Sequence, residues 1–88
     1  MALGSDFSVI VSRTAAKELA KIPLNYRARV LEALASLAHS PYAGKALKGE
    51  LEGKYSLRVW PYRIIYQIVQ KQLVVEVLDV GHRQGVYK

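Results

Sequence analysis

The chain has no cysteine, only seven acidic residues against thirteen basic ones, and one residue each of Trp, Phe and Met. Each shortage excludes something. Without cysteine there is no disulfide framework and no thiolate zinc site. The two histidines, His39 and His82, stand far apart in sequence with few acids near them, so no metal and no cofactor is expected. No apolar run approaches the roughly 18 residues of a membrane span. The opening MALGSDFSVIV has no basic stretch and carries Asp6 ahead of its apolar residues, so no export signal is expected and the cytoplasm is the default location. Gly44, Gly49 and Gly53 do not lead into a helix bearing Lys-Ser/Thr, which excludes a phosphate-cradling loop. No local grouping of Ser, His and acid supports a serine triad.

What is present is a compact apolar fraction, 51% of 88 residues. That length gives one domain, residues 1–88, burying roughly 60% of its unfolded surface in one modest core. The net charge of +6 suits a polyanion such as RNA or DNA, or an acidic protein; a basic surface kept for solubility is the plainer alternative. The charge is uneven. Residues 1–44 hold five basic and three acidic residues, net +2, and residues 45–88 hold eight and four, net +4.

Phe7–Ser12 is β-branched and reads as a strand. Ser12 or Thr14 then caps a helix over Arg13–Ile22, with Ala15, Ala16, Leu19 and Ala20 on one face. Pro23 ends it, and a second helix runs over 24–38 with Tyr26, Val30, Leu34 and Leu37 in a stripe and Leu31 beside it. Residues 39–53 have the composition of a loop, pinned by Leu47 and Leu51. From Lys54 the period falls to two. Tyr55, Leu57 and Val59 alternate with Ser56, Arg58 and Trp60; Tyr62–Gln70 is a second strand of this meander; Lys71-Gln72 is a tight connection; Leu73–Val80, apolar on both faces apart from Glu76 and Asp79, belongs inside the sheet. Residues 81–88 are a glycine-punctuated tail. The expected fold is α+β: order β-α-α-β-β-β, two helices on one face of a largely antiparallel four-stranded sheet, the other face open to a ligand. A winged helix would need a third, recognition helix, for which there is no room.

The positive chemical signal is a set of arginines. Arg58 near the end of one strand and Arg63 near the start of the next fall at one sheet edge, to which Arg83 returns after the last strand. Three guanidiniums there form a fork-donor site for phosphate; the alternative is a set of solvated edge arginines. Tyr87 either folds back beside these cations, which would favour its tyrosinate and make it a general base, or packs on the sheet edge. His82 is a rival acid or base, facing the opposite side from Arg83 if the strand pattern persists. Trp60, Tyr62 and Tyr66 offer faces for base stacking, with core packing the expected role for at least two.

Leu47-Lys48-Gly49, Tyr55-Ser56-Leu57-Arg58-Val59, Tyr62-Arg63-Ile64-Ile65-Tyr66-Gln67-Ile68 and Val80-Gly81-His82-Arg83 with Val86-Tyr87 resemble the RelE/ParE superfamily of toxins from toxin–antitoxin pairs. The resemblance spans nearly the whole chain and implies a RelE-like fold. Its RelE-like branch cuts mRNA in the ribosomal A site without metal, by attack of the 2′-OH on the adjacent phosphate. The resemblance implies that Arg58 stabilises transition-state charge, that Arg63 and Arg83 bind the scissile phosphate and assist the leaving group, and that Tyr87 orients or activates the nucleophile. Lys48, Lys54, Trp60 and His82 are the expected RNA-binding residues. Ser56 departs from the pattern, standing where well-known members carry a second lysine; the resemblance then implies either a weaker base or transition-state clamp, or substitution by Lys54 or Lys48. The ParE-like branch shares the fold and inhibits DNA gyrase without catalysis. The implied partners are the ribosome and mRNA, or gyrase in the alternative, together with a cognate antitoxin of acidic or amphipathic character.

Overall fold

The computed structural model describes residues 6–82. Along the chain come β1 (Ser8–Val11), α1 (Arg13–Lys21), α2 (Leu24–Ser36), β2 (Lys45–Ala46), β3 (Lys54–Val59), β4 (Tyr62–Val69) and β5 (Val74–His82), with single 3-10 turns at Gly49–Leu51 and Gln70–Gln72. Helix α1 starts where it does because Ser12 caps it. The Ser12 hydroxyl accepts from the Ala15 amide at 3.1 Å, a contact typically worth about 1 kcal/mol, and donates to the Leu78 carbonyl at 3.0 Å, which ties the cap to β5. Pro23 ends α1 and also stands as the N-cap of α2. Arg27 reaches back from α2 and donates to the carbonyls of Ala20 and Ile22, at 2.8 and 3.2 Å. Its charge therefore serves the C-terminal end of α1, where unpaired carbonyls favour a cation.

The sheet has five strands in the order β1-β5-β4-β3-β2. Four strands were expected. The added one, β2, is two residues long and pairs only with Ser56 and Tyr55; so short a pairing leaves no period in a sequence. The β2–β3, β3–β4 and β4–β5 pairings are antiparallel, and β1 lies parallel to β5. As the composition of Leu73–Val80 suggested, β5 has a strand on each side. It extends two residues further than expected, through Gly81 and His82.

Both helices cover one face. Ala15, Leu19 and Ile22, with Val30, Leu34 and Leu37, meet Ile64, Tyr66, Val75, Val77 and Val80 in the buried cluster. Ala16 and Ala20, expected on that face, lie exposed, because α1 presents only its i, i+4 pair to the sheet. Leu31 is likewise exposed. Val77 and Val80 share the buried side although three positions separate them. A β-bulge explains this: Ile65 pairs with Asp79 and Tyr66 with Val77, so Leu78 is the extra residue and the pleat resets after it. Among the described residues no helix is long and apolar enough to cross a membrane.

Candidate functional site

The face of the sheet opposite the helices is built by register, with Ser56 and Ile65 buried on it. Arg58 on β3 lies directly across from Arg63 on β4, and Arg63 across from Gly81 on β5. The neighbouring rung on that face reads Lys45 on β2, Ser56 on β3, Ile65 on β4 and Asp79 on β5. Residues opposite one another share a face, with Cα atoms about 4.5–5.5 Å apart. Like charges in that position disfavour the sheet by some tenths of a kcal/mol, so the Arg58–Arg63 rung runs against stability, as binding sites do. Lys45, Ser56, Arg58 and Arg63 line a cleft of about 440 Å³ with Gly44 and Leu47, and among the described residues no carboxylate joins the lining. Arg58 is exposed and Arg63 half-buried. Guanidinium groups have the fork geometry that binds phosphate oxygens in pairs.

The wall of the cleft is held by a buried phenol. Tyr66 is fully buried, and its ring stacks on Tyr55 with centroids 5.4 Å apart. Its hydroxyl donates to the Pro41 carbonyl at 2.8 Å and accepts from the Gly44 amide at 2.9 Å. The segment before β2 is thereby pinned to β4. Gly44 must be glycine: a Cβ there would stand 2.6 Å from the Tyr66 oxygen and 2.9 Å from the Ser56 carbonyl oxygen. Burial raises the Tyr66 pKa above its ordinary value of 10.0; the Gly44 amide pulls it partly back, and Tyr55 adds a smaller upward push. The native state thus favours the neutral phenol. This contribution is whole below pH 10 and is lost as pH rises through the raised native value. Urea midpoints measured from about pH 9 to about pH 11 should fall more steeply for the wild type than for Tyr66→Phe; equal slopes would remove Tyr66 from the account.

The other expected residues scatter. Lys48 and Lys54 line a separate cleft of about 450 Å³ that also contains Glu52. Lys54 is two residues from Ser56 on β3, on the same face and about 7 Å along the strand, and four residues from Arg58. Trp60 is 60% exposed at the β3–β4 turn, whereas Tyr66 is in the core and Tyr62 is half-buried. His82 pairs with Tyr62, and the two rings meet edge-on at 5.8 Å; Tyr62 also touches Tyr26 of α2. His82 therefore stands on the helix side, away from the arginines. Arg83 and Tyr87 lie outside the described residues. Among the described residues no three His, Asp or Glu side chains gather to hold a metal ion. Sequence reasoning missed Lys45, whose only sequence signal was a place in a loop between Gly44 and Leu47.

Comparison with known proteins bears on what such a surface does. Residues 9–87 match the model of the family described as ParE toxin of type II toxin-antitoxin system, parDE. Toxin RelG of Mycobacterium tuberculosis is 36% identical over 84 residues, 93% of this chain and 97% of that protein. The toxin–antitoxin complex RelBE2 of M. tuberculosis contains a chain of similar fold, with a TM-score of 0.83 and 35% identity, covering 89% of this chain and 99% of that one. The intact Escherichia coli RelBE toxin–antitoxin complex matches at a TM-score of 0.73 and 30% identity, over 86% of this chain and 95% of that one.

Proposed function

The chain belongs to the ParE toxin family of type II toxin–antitoxin systems, is RelE-like within the RelE/ParE superfamily, and on that premise we propose that it blocks translation by cutting mRNA on the ribosome. The observation that carries this reading is the cleft between β2 and β4, with three cations and no carboxylate among the described residues of its lining. In the proposed reaction the 2′-oxygen of one nucleotide attacks the adjacent phosphorus. The new 2′-O–P bond forms as the P–O5′ bond breaks, leaving a 2′,3′-cyclic phosphate and a 5′-hydroxyl. The 2′ proton passes to a base and the departing 5′-oxygen takes a proton. Negative charge grows on the phosphoryl oxygens, and cations already in position stabilise it without reorganising. Arg58 and Arg63 are the described residues proposed for that task. By the sequence resemblance, Arg83 assists the leaving group and Tyr87 takes or orients the 2′ proton. The protein's partners in this reading are mRNA and the ribosome in the cytoplasm, and a cognate antitoxin, because the similar M. tuberculosis and E. coli toxins are complexed with theirs. The whole of residues 1–88 then acts as one toxin domain.

The decisive experiment is cleavage of an mRNA with and without programmed ribosomes, read by primer extension. Cuts only with ribosomes, in register with codons, are the expected result. Ribosomes should be needed because a cationic face alone does not align the 2′-oxygen with the phosphorus. The family match under the name ParE favours one second reading, a DNA gyrase inhibitor without catalysis. Folded protein that cuts in neither arm and blocks DNA supercoiling would select it.

A further inference from the structure

We infer that Lys45 is a third phosphate-contacting residue of this site, binding the phosphate next to the one faced by Arg58 and Arg63. The assignment builds on the RNA-cutting reading but stands on its own geometry. Lys45 pairs with Ser56, one rung from the Arg58–Arg63 pair. Two residues along and one strand across put Lys45 about 8 Å from Arg58 between Cα atoms, a distance a lysine side chain covers to reach the phosphate next to the one on Arg58. Three further observations separate Lys45 from an ordinary solvated lysine. It lines the same cleft as both arginines. It takes part in neither of the ion pairs found among the described residues, Lys21–Glu18 and His39–Asp6. Its backbone is anchored, since the preceding residue, Gly44, donates to the buried Tyr66 hydroxyl at 2.9 Å. A two-residue edge strand would otherwise fray, so this tether keeps the lysine beside Ser56. The contrast with Lys48 and Lys54 supports the choice: their cleft includes Glu52, whereas the described residues lining this one include no carboxylate. Ser56 adds a hydroxyl and no charge to the rung, so Lys45 is its sole cation.

The test uses a fluorescein-labelled single-stranded RNA hexanucleotide and the full chain. Binding is measured against salt for the wild type, Lys45→Ala, Lys45→Arg, the double variant Lys45→Ala/Ser56→Lys, and Lys71→Ala as an exposed cation in the turn between β4 and β5. Lys45→Ala should weaken binding several-fold and lower the magnitude of the log K against log[salt] slope by about 0.7, the signature of one lost phosphate contact on a single strand. Lys45→Arg should keep the slope, and Ser56→Lys should restore it from the directly opposite position. Three results would overturn the assignment: no binding by the wild type, a slope unchanged in Lys45→Ala, or an equal loss in Lys71→Ala. The same variants are then assayed on programmed ribosomes. A slope effect without ribosome-dependent cleavage by the wild type would remove the nuclease reading and leave the phosphate contact standing.

Discussion

Arg63→Ala is expected to lower cleavage of ribosome-bound mRNA by about 10²–10³-fold, the usual loss when one positioned donor to a transition-state oxyanion is removed. The size follows from where the residue sits. Arg63 is half-buried, lies across from Arg58 and Gly81, and lines the cation cleft. Partial burial lowers the local dielectric, so its charge acts at greater strength on a phosphate than that of an exposed cation. Arg63→Lys should recover only part of the loss, because an ammonium keeps the charge and gives up the planar fork. Arg58→Ala should cost less, since Arg58 is exposed. Thermal unfolding run beside the assay separates chemistry from folding. Full cleavage by folded Arg63→Ala would end the catalytic assignment, and so would a rate loss matched by a collapse of the melting transition.

Gly44→Ala should be strongly destabilising for the addition of a single methyl group. The new carbon would lie 2.6 Å from the Tyr66 oxygen and 2.9 Å from the Ser56 carbonyl oxygen, far inside contact distance. One of these neighbours is backbone in β3 and the other is a fully buried side chain held at both ends. Neither yields without breaking the β2–β3 pairing or the hydroxyl's two hydrogen bonds. Overpacking of this kind costs about 1–3 kcal/mol. Tyr66→Phe removes the nearer oxygen and leaves the farther one. The double variant Gly44→Ala/Tyr66→Phe should therefore recover part, not all, of the loss, and a double-mutant cycle by urea denaturation measures the coupling. Additive losses would mean that the two groups do not meet as described. Because Lys45 follows Gly44, RNA binding should weaken in step with stability.

These two residues differ in how far a sequence discloses them. Arg63 stood out because it interrupts the apolar run Tyr62–Ile68, where a charge has a cost. Gly44 did not, since a glycine forced by a tyrosine 22 residues later looks like any loop glycine. The helices and the β3–β4–β5 meander were legible because their periods of 3.6 and two run over enough residues to register. The edge strand β2 and the bulge at Leu78 were not, as each departs from its period by one or two residues. The parallel pairing of β1 escaped for another reason: an apolar strand carries no mark of its partner or its direction. At the site, pairing across a meander follows from alternation and put Arg58 beside Arg63. The place of Lys45 depends on a non-local pairing of β2 that no spacing encodes, and His82 turned from the arginines because β5 keeps its pleat through the residue.

The same parallel pairing has a consequence for when the protein comes into being. Ser12 bonds to Leu78, 66 residues later, and among the described residues Ser8 to Val11 find their strand partners in Val74 to Val77. Contacts this distant must meet the entropy of closing a long loop before they return anything. During synthesis β1 emerges first and waits, and the sheet lacks the strand that joins β1 to β4 until nearly every described residue has been made. Closure of the sheet is tied to the synthesis of β5, the strand that joins β1 to the β3–β4 hairpin.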